Sequence, residues 1–119
     1  MDDPGAERVA RNEAMFREAN EGIEGAAEEY SIEHPVPFLC ECADPACTQV
    51  VLLPLNVYEE VRSEPSHFLN AVGHESASGP HARVVEYRDG WVLVEKVGQA
   101  GEIAEALDQR EWEQDLGRA

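Results

Sequence analysis

The stretch Phe38-Leu39-Cys40-Glu41-Cys42-Ala43-Asp44-Pro45-Ala46-Cys47-Thr48 carries every cysteine of the chain, Cys40, Cys42 and Cys47. In extended backbone, residues i and i+2 point to the same side, so Cys40 and Cys42 can present both sulfurs to one ion. Asp44-Pro45 favours a tight turn that returns Cys47 to that side. Structural zinc takes four ligands in a tetrahedron, most often thiolates and imidazoles, so three thiolates leave one place to fill. The alternative is three ordinary thiols packed as small hydrophobes. A disulfide framework is disfavoured by the odd count and by the strain of joining Cys-x-Cys neighbours. The paired Cys-x-x-Cys knuckles of a standard zinc ribbon are missing.

Four histidines compete for the fourth place: His34, His67, His74 and His81. His74 is the first choice. It follows Gly73, which permits a sharp turn, and it stands where a strand should end. His67 precedes that strand, His81 follows Pro80 in a loop, and His34 sits against Pro35 in a linker. His67 or His81 rank next, and His34 last. The expected structural zinc set is Cys40, Cys42, Cys47 and His74.

Working outward, residues 4–30 read as a long amphipathic helix. Asp3 can cap it and Pro4 suits its first position. Val9, Phe16, Ile23 and Tyr30 recur every seven residues, with Ala19 and Ala26 on the same stripe and Asn12 interrupting it. This predicts a helix lying on the domain, or else a short coiled coil that pairs two chains as a homodimer. Prolines in 31–37 break the helix. Strands are expected at 38–42, 48–53 and 68–72, with a short helix at 55–62 burying Leu55, Tyr58 and Val61. Residues 75–80 read as a loop. Asp89-Gly90 between 83–88 and 91–96 is the strongest hairpin signal. After Gly98, Ile103 and Leu107 allow a short helix, and Trp112 and Leu116 extend an acidic tail.

The predicted fold is therefore α+β. A small, mostly antiparallel sheet carries a zinc-ribbon-like metal site, preceded by the long helix and followed by the acidic tail. Three units result: 1–33, 34–97 and 98–119. With 119 residues, 43% hydrophobic and 7% aromatic, the core is small enough to gain from a metal staple.

The net charge is −16, from 25 acidic and 9 basic residues, and all three units are net acidic. Phosphate backbones need cations, so direct nucleic-acid binding is not expected. No signal-peptide pattern opens the chain, and its apolar runs are too short to span a bilayer. A cytoplasmic location with reduced thiols is expected.

The runs Arg11–Glu18, Phe38–Cys42 with Cys47, Tyr58–Arg62, Phe68-Leu69, Gly73–Glu75 and Val92–Lys96 together resemble a family of small actinobacterial-type proteins with a Phe-x-Cys-x-Cys-x4-Cys … Gly-His pattern. The resemblance spans about residues 10–110. That family has no assigned activity, so it implies no mechanism. It does imply that Gly73-His74 belongs with the cysteines. Pro54 stands where the family tends to carry a Thr helix cap, and Val72 where it tends to carry Pro.

Three thiolates and an imidazole give zinc a net charge of −1 and leave no open position for water, unlike a catalytic site. No phosphate loop, nucleophile elbow or His-Glu-x-x-His is present. Glu41, Asp44 and Glu75 flank the proposed site and read as solvated surface charge. The expected function is a non-enzymatic, zinc-stabilised module that binds another protein, with the N-terminal helix and acidic tail as contact elements. The alternatives are a metal- or thiol-dependent enzyme using the Cys/His cluster, with Cys47 and His74 as a nucleophile pair, or an acidic mimic of nucleic acid.

Overall fold

The computed structural model describes residues 4–107. The order is α1 (Pro4–Glu29), β1 (Val36–Leu39), β2 (Val50–Leu53), α2 (Leu55–Arg62), β3 (His67–Ala71), a 3-10 segment (Glu75–His81), β4 (Ala82–Arg88), β5 (Trp91–Lys96) and α3 (Gly98–Ala106). The α+β class is as expected, but the five strands form two antiparallel sheets. One is the ribbon β1-β2, with Phe38 opposite Val51. The other has the order β3-β5-β4. The Asp89-Gly90 hairpin forms β4 and β5, with a bulge between Val84 and Glu86.

Alternation along β5 divides the core in two. Trp91 and Leu93 join Phe38, Val51, Leu53, Tyr58, Val61 and Leu69 in the first cluster. Val92 and Val94 join Phe68 and Ala104 in the second. Phe38 and Tyr58 stack at 4.2 Å between ring centroids. On α2, Tyr58 and Val61 are buried as predicted, and Leu55 is packed partly buried against them. That helix starts at Pro54 with no side-chain cap, so only the Pro54 carbonyl serves its start, accepting from the Val57 and Tyr58 N–H groups.

The long helix docks by a different face from the one its repeat suggests. Val9 and Phe16 are buried, but Tyr30 is 74% exposed, and Ala19 and Ala26 also face solvent. A straight helix of 3.6 residues per turn drifts away from a seven-residue repeat, so the stripe has left the core by its fourth member. The docked face is Ala6, Val9, Ala10, Glu13, Phe16, Arg17, Asn20, Glu24 and Ala27. Its end is a Schellman turn: Ser31 takes φ +52°, its N–H donates to the Glu28 carbonyl, and the Ile32 N–H donates to the Ala27 carbonyl.

Asn20 explains why a polar helix face is tolerated in the core. Its side chain accepts from the Leu39 N–H (2.7 Å) and donates to the Leu39 carbonyl (2.8 Å), closing the edge of β1 that faces away from β2. It also donates to Glu41 at 2.9 Å. Asn20→Ala should cost on the order of 3 kcal/mol, because it leaves two backbone groups and part of a carboxylate buried without partners. Urea unfolding of the metal-loaded variant measures this, and a loss below about 1 kcal/mol contradicts it.

The boundaries at 33/34 and 97/98 fall in connections, and the two clusters join side chains across both. Ala27 lies in the first cluster, and Ala104 of α3 in the second. Gly101 lets α3 approach β5 closely, since a Cβ there would stand 2.7 Å from the Lys96 carbonyl oxygen. The expected tail residues Trp112 and Leu116, and the Asp3 cap, lie outside the described residues. No helix among the described residues is long and apolar enough to cross a membrane.

Candidate metal centre

The cysteine turn grows from the end of the ribbon. β1 stops at Leu39, short of the predicted strand 38–42. The backbone then serves both sheets: the Cys40 N–H donates to the Gln49 carbonyl beside β2, and the Glu41 N–H donates to the Leu69 carbonyl of β3. Asp44 builds the turn as the sequence suggests. Its carboxylate accepts from the Ala46 N–H at 2.9 Å, and its carbonyl accepts from the Cys47 N–H at 3.0 Å.

The fourth residue arrives from the end of β3. Gly73 takes φ +92°, a conformation glycine adopts without a Cβ penalty, and this turns the chain after Ala71. The His74 N–H then donates to the Ala71 carbonyl at 3.0 Å. The Gly73 N–H donates to the Glu75 carboxylate at 2.6 Å, which steadies the turn.

These elements bring Cys40, Cys42, Cys47 and His74 together, with one donor atom from each lying within 4.8 Å of all the others. His74 Nδ1 stands 3.8 Å from Cys40 Sγ, 3.8 Å from Cys42 Sγ and 3.4 Å from Cys47 Sγ. A tetrahedral ion with bonds of about 2.3 Å to sulfur and 2.0–2.1 Å to nitrogen needs sulfur–nitrogen edges of about 3.6 Å. The three distances bracket that value. All three cysteines are free of disulfides. Soft thiolates with one imidazole suit a single ion such as zinc. Zinc would supply the charge that holds three thiolates together, and no further ligand is needed to complete four.

Burial pushes the Cys40 and Cys42 thiols up from their ordinary pKa. Without metal they hold their protons, so uptake of an ion here would release protons and would strengthen as pH rises. The Ala71 N–H donates to Cys40 Sγ at 3.1 Å, an outer contact that orients this ligand.

The other histidines lie elsewhere. His67 Nε2 stands 3.2 Å from the Glu95 carboxylate. His34 is exposed, beside the Pro35 carbonyl. His81 closes the 3-10 segment, where its carbonyl accepts from the Val97 N–H.

Glu41 departs from its expected place on the surface. It is fully buried, and its carboxylate accepts from the Leu69 N–H (2.9 Å), the Asn20 amide (2.9 Å) and the Tyr58 hydroxyl (2.6 Å). Burial and the Glu41 charge raise the Tyr58 pKa, so the phenol stays a donor. The signal was in the cysteine pattern itself: the alternation that puts two sulfurs on one side puts the residue between them on the other. Asp44 and Glu75 are exposed or partly exposed, and their bonds serve turns. Glu24, Glu28 and Glu59 also bring three carboxylates together between α1 and α2. Glu24 is buried while Glu28 and Glu59 are exposed, and exposed acidic groups are common without an ion. Compared with protein-family models, with curated proteins and with solved structures, the chain matches none of them.

Proposed function

We propose that this protein is a zinc-clasped module that binds another protein and has no catalytic activity of its own. The single observation that carries the reading is the convergence of three thiolates and one imidazole within 4.8 Å. Such a set fills a zinc tetrahedron from the protein alone, and the resulting net charge of −1 makes the ion a poor Lewis acid. The clasp joins the end of the β1-β2 ribbon to the end of β3, so its chemistry is fastening. The compartment is taken to be the cytoplasm, where free thiols stay reduced.

A contact surface for the partner is supported by the outside of the ribbon. The register pairs Pro37 with Leu52 and Leu39 with Val50, which places these four on the face turned away from the core. Leu52 is 67% exposed and Val50 51%. Residues 46–58 contain no Asp, Glu, Lys, Arg or His, although 29% of the chain is charged. An exposed apolar face of this kind suits a protein contact. The surrounding charge of −16 favours a partner that is basic around its own apolar patch.

The test pairs the native chain with Leu52→Lys in proximity labelling within the source cell. The variant should keep its metal and its melting temperature but lose most of the enriched proteins, by about tenfold or more, equivalent to about 1.4 kcal/mol of binding. Enrichment of the same set by both chains would rule out this face.

A further inference from the structure

The three thiolates of the clasp are not equivalent. Cys40 is 1% exposed and Cys42 fully buried, whereas Cys47 is partly exposed. Cys40 Sγ also accepts the Ala71 N–H, which draws charge from that sulfur. Among the described residues no N–H donates to Cys47 Sγ, whose neighbour is His74 Nδ1 at 3.4 Å. A zinc-bound thiol is deprotonated outright, and the thiolate is the nucleophilic form of cysteine. In a centre with a net charge of −1, the Cys47 sulfur lacks the N–H bond that Cys40 has and belongs to the most exposed of the three cysteines.

We infer that Cys47 is a modification site through which an oxidant of the peroxide class opens the clasp. The inference rests on the zinc reading above. The Cys47 thiolate attacks one peroxide oxygen. The sulfur–oxygen bond forms, the oxygen–oxygen bond breaks, and hydroxide leaves, giving a sulfenic acid. The Cys42 thiolate then attacks that sulfur, a disulfide forms, and a second hydroxide leaves. Both hydroxides take protons from solvent and become water. The two sulfurs lose two electrons and the peroxide gains two. Cys42 is the resolving partner because its sulfur lies 4.0 Å from the Asp44 carbonyl oxygen, which accepts from the Cys47 N–H to close the turn, while Cys40 is held by Ala71. Zinc left with only Cys40 and His74 has lost half its ligands and dissociates. The metal link between the ribbon end and β3 is thereby lost, leaving the Glu41 and Cys40 hydrogen bonds to Leu69 and Ala71.

The test uses the full-length zinc-loaded chain treated with less than one equivalent of hydrogen peroxide. Zinc release is followed with a coloured chelator. Sulfenic acid is trapped with a dione probe, and disulfides are mapped by peptide mass spectrometry. The expected result is probe on Cys47, a Cys42–Cys47 disulfide, and zinc released in step with it. Probe on Cys40 or Cys42 first, a disulfide containing Cys40, or oxidation without zinc loss would each overturn the proposal. Cys47→His keeps four ligands and should release zinc at least tenfold more slowly; equal rates would also overturn it. The native mapping stands whether or not that variant folds. A chain that holds no zinc before treatment overturns the metal reading itself, an outcome separate from peroxide reacting at the wrong sulfur.

Discussion

Cys42→Ser should abolish metal retention and, with it, most of the stability of this protein. Metal-binding free energies of structural zinc reach about 10–16 kcal/mol at neutral pH, and this is folding free energy where the site exists only in the folded chain. Whole domains are stable by only about 5–15 kcal/mol. The clasp joins three segments: the ribbon end at Cys40 and Cys42, the turn at Cys47, and the end of β3 at His74. Cys42 is fully buried, so a serine there also leaves a hydroxyl beside two thiols in a dry place. Elemental mass spectrometry should find one zinc per native chain and none in the variant. The melting temperature should fall by at least about 15 °C, since each 1 kcal/mol moves a small domain by about 4–8 °C. A strong chelator should reproduce the effect on the native chain. His74→Ala should behave like Cys42→Ser, whereas His67→Ala should keep its metal. Metal retained by His74→Ala and lost by His67→Ala would displace the fourth ligand.

The convergence of Cys40, Cys42, Cys47 and His74 was legible in the sequence because its signals are local. Cys-x-Cys in extended chain, a turn at Asp44-Pro45, and glycine before histidine each specify geometry over a few residues. The hairpin at Asp89-Gly90 and the burial of Tyr58 and Val61 were legible for the same reason. The docking of α1 was not. Apolar periodicity points to Tyr30, yet the helix buries Glu13, Arg17, Asn20 and Glu24. A polar side chain enters a core only when partners wait for it, and those partners come from residues far along the chain. Asn20 meets Leu39, Arg17 donates to the His67 carbonyl and lies 3.6 Å over the Phe68 ring, and Glu13 meets Lys96. Hydropathy reads each of these four as surface. Glu41 was missed in the same way, although the alternation around it held the clue.

Glu13→Ala should destabilise the metal-loaded protein by about 3–5 kcal/mol, the cost of leaving one member of a buried ion pair alone. Glu13 and Lys96 form an ion pair whose side chains are both 0% exposed. Ser78 donates to the other Glu13 oxygen at 3.1 Å, and the Lys96 ammonium lies 4.5 Å over the Phe68 ring. Burial raises the Glu13 pKa and lowers that of Lys96, so desolvation drives both toward neutrality while their attraction opposes it. Removing either partner leaves the other with the desolvation cost alone, so Lys96→Met should cost a similar amount. Glu13→Met with Lys96→Met together should recover most of the loss, because apolar side chains can replace a buried pair at little net cost. Urea unfolding of Glu13→Met, Lys96→Met and the double variant closes a double-mutant cycle, and the coupling should exceed about 2 kcal/mol. Single losses that simply add would show that the two groups act independently. Recovery in the double variant would mean that the pair contributes little net stability and acts by fixing position. Glu13 lies one heptad before Asn20, on the same docked face of α1. Seating Glu13 on Lys96 therefore sets the rotation of the helix that carries Asn20 to Leu39 and Glu41, and so holds the backbone that places Cys40 and Cys42 beside Cys47 and His74.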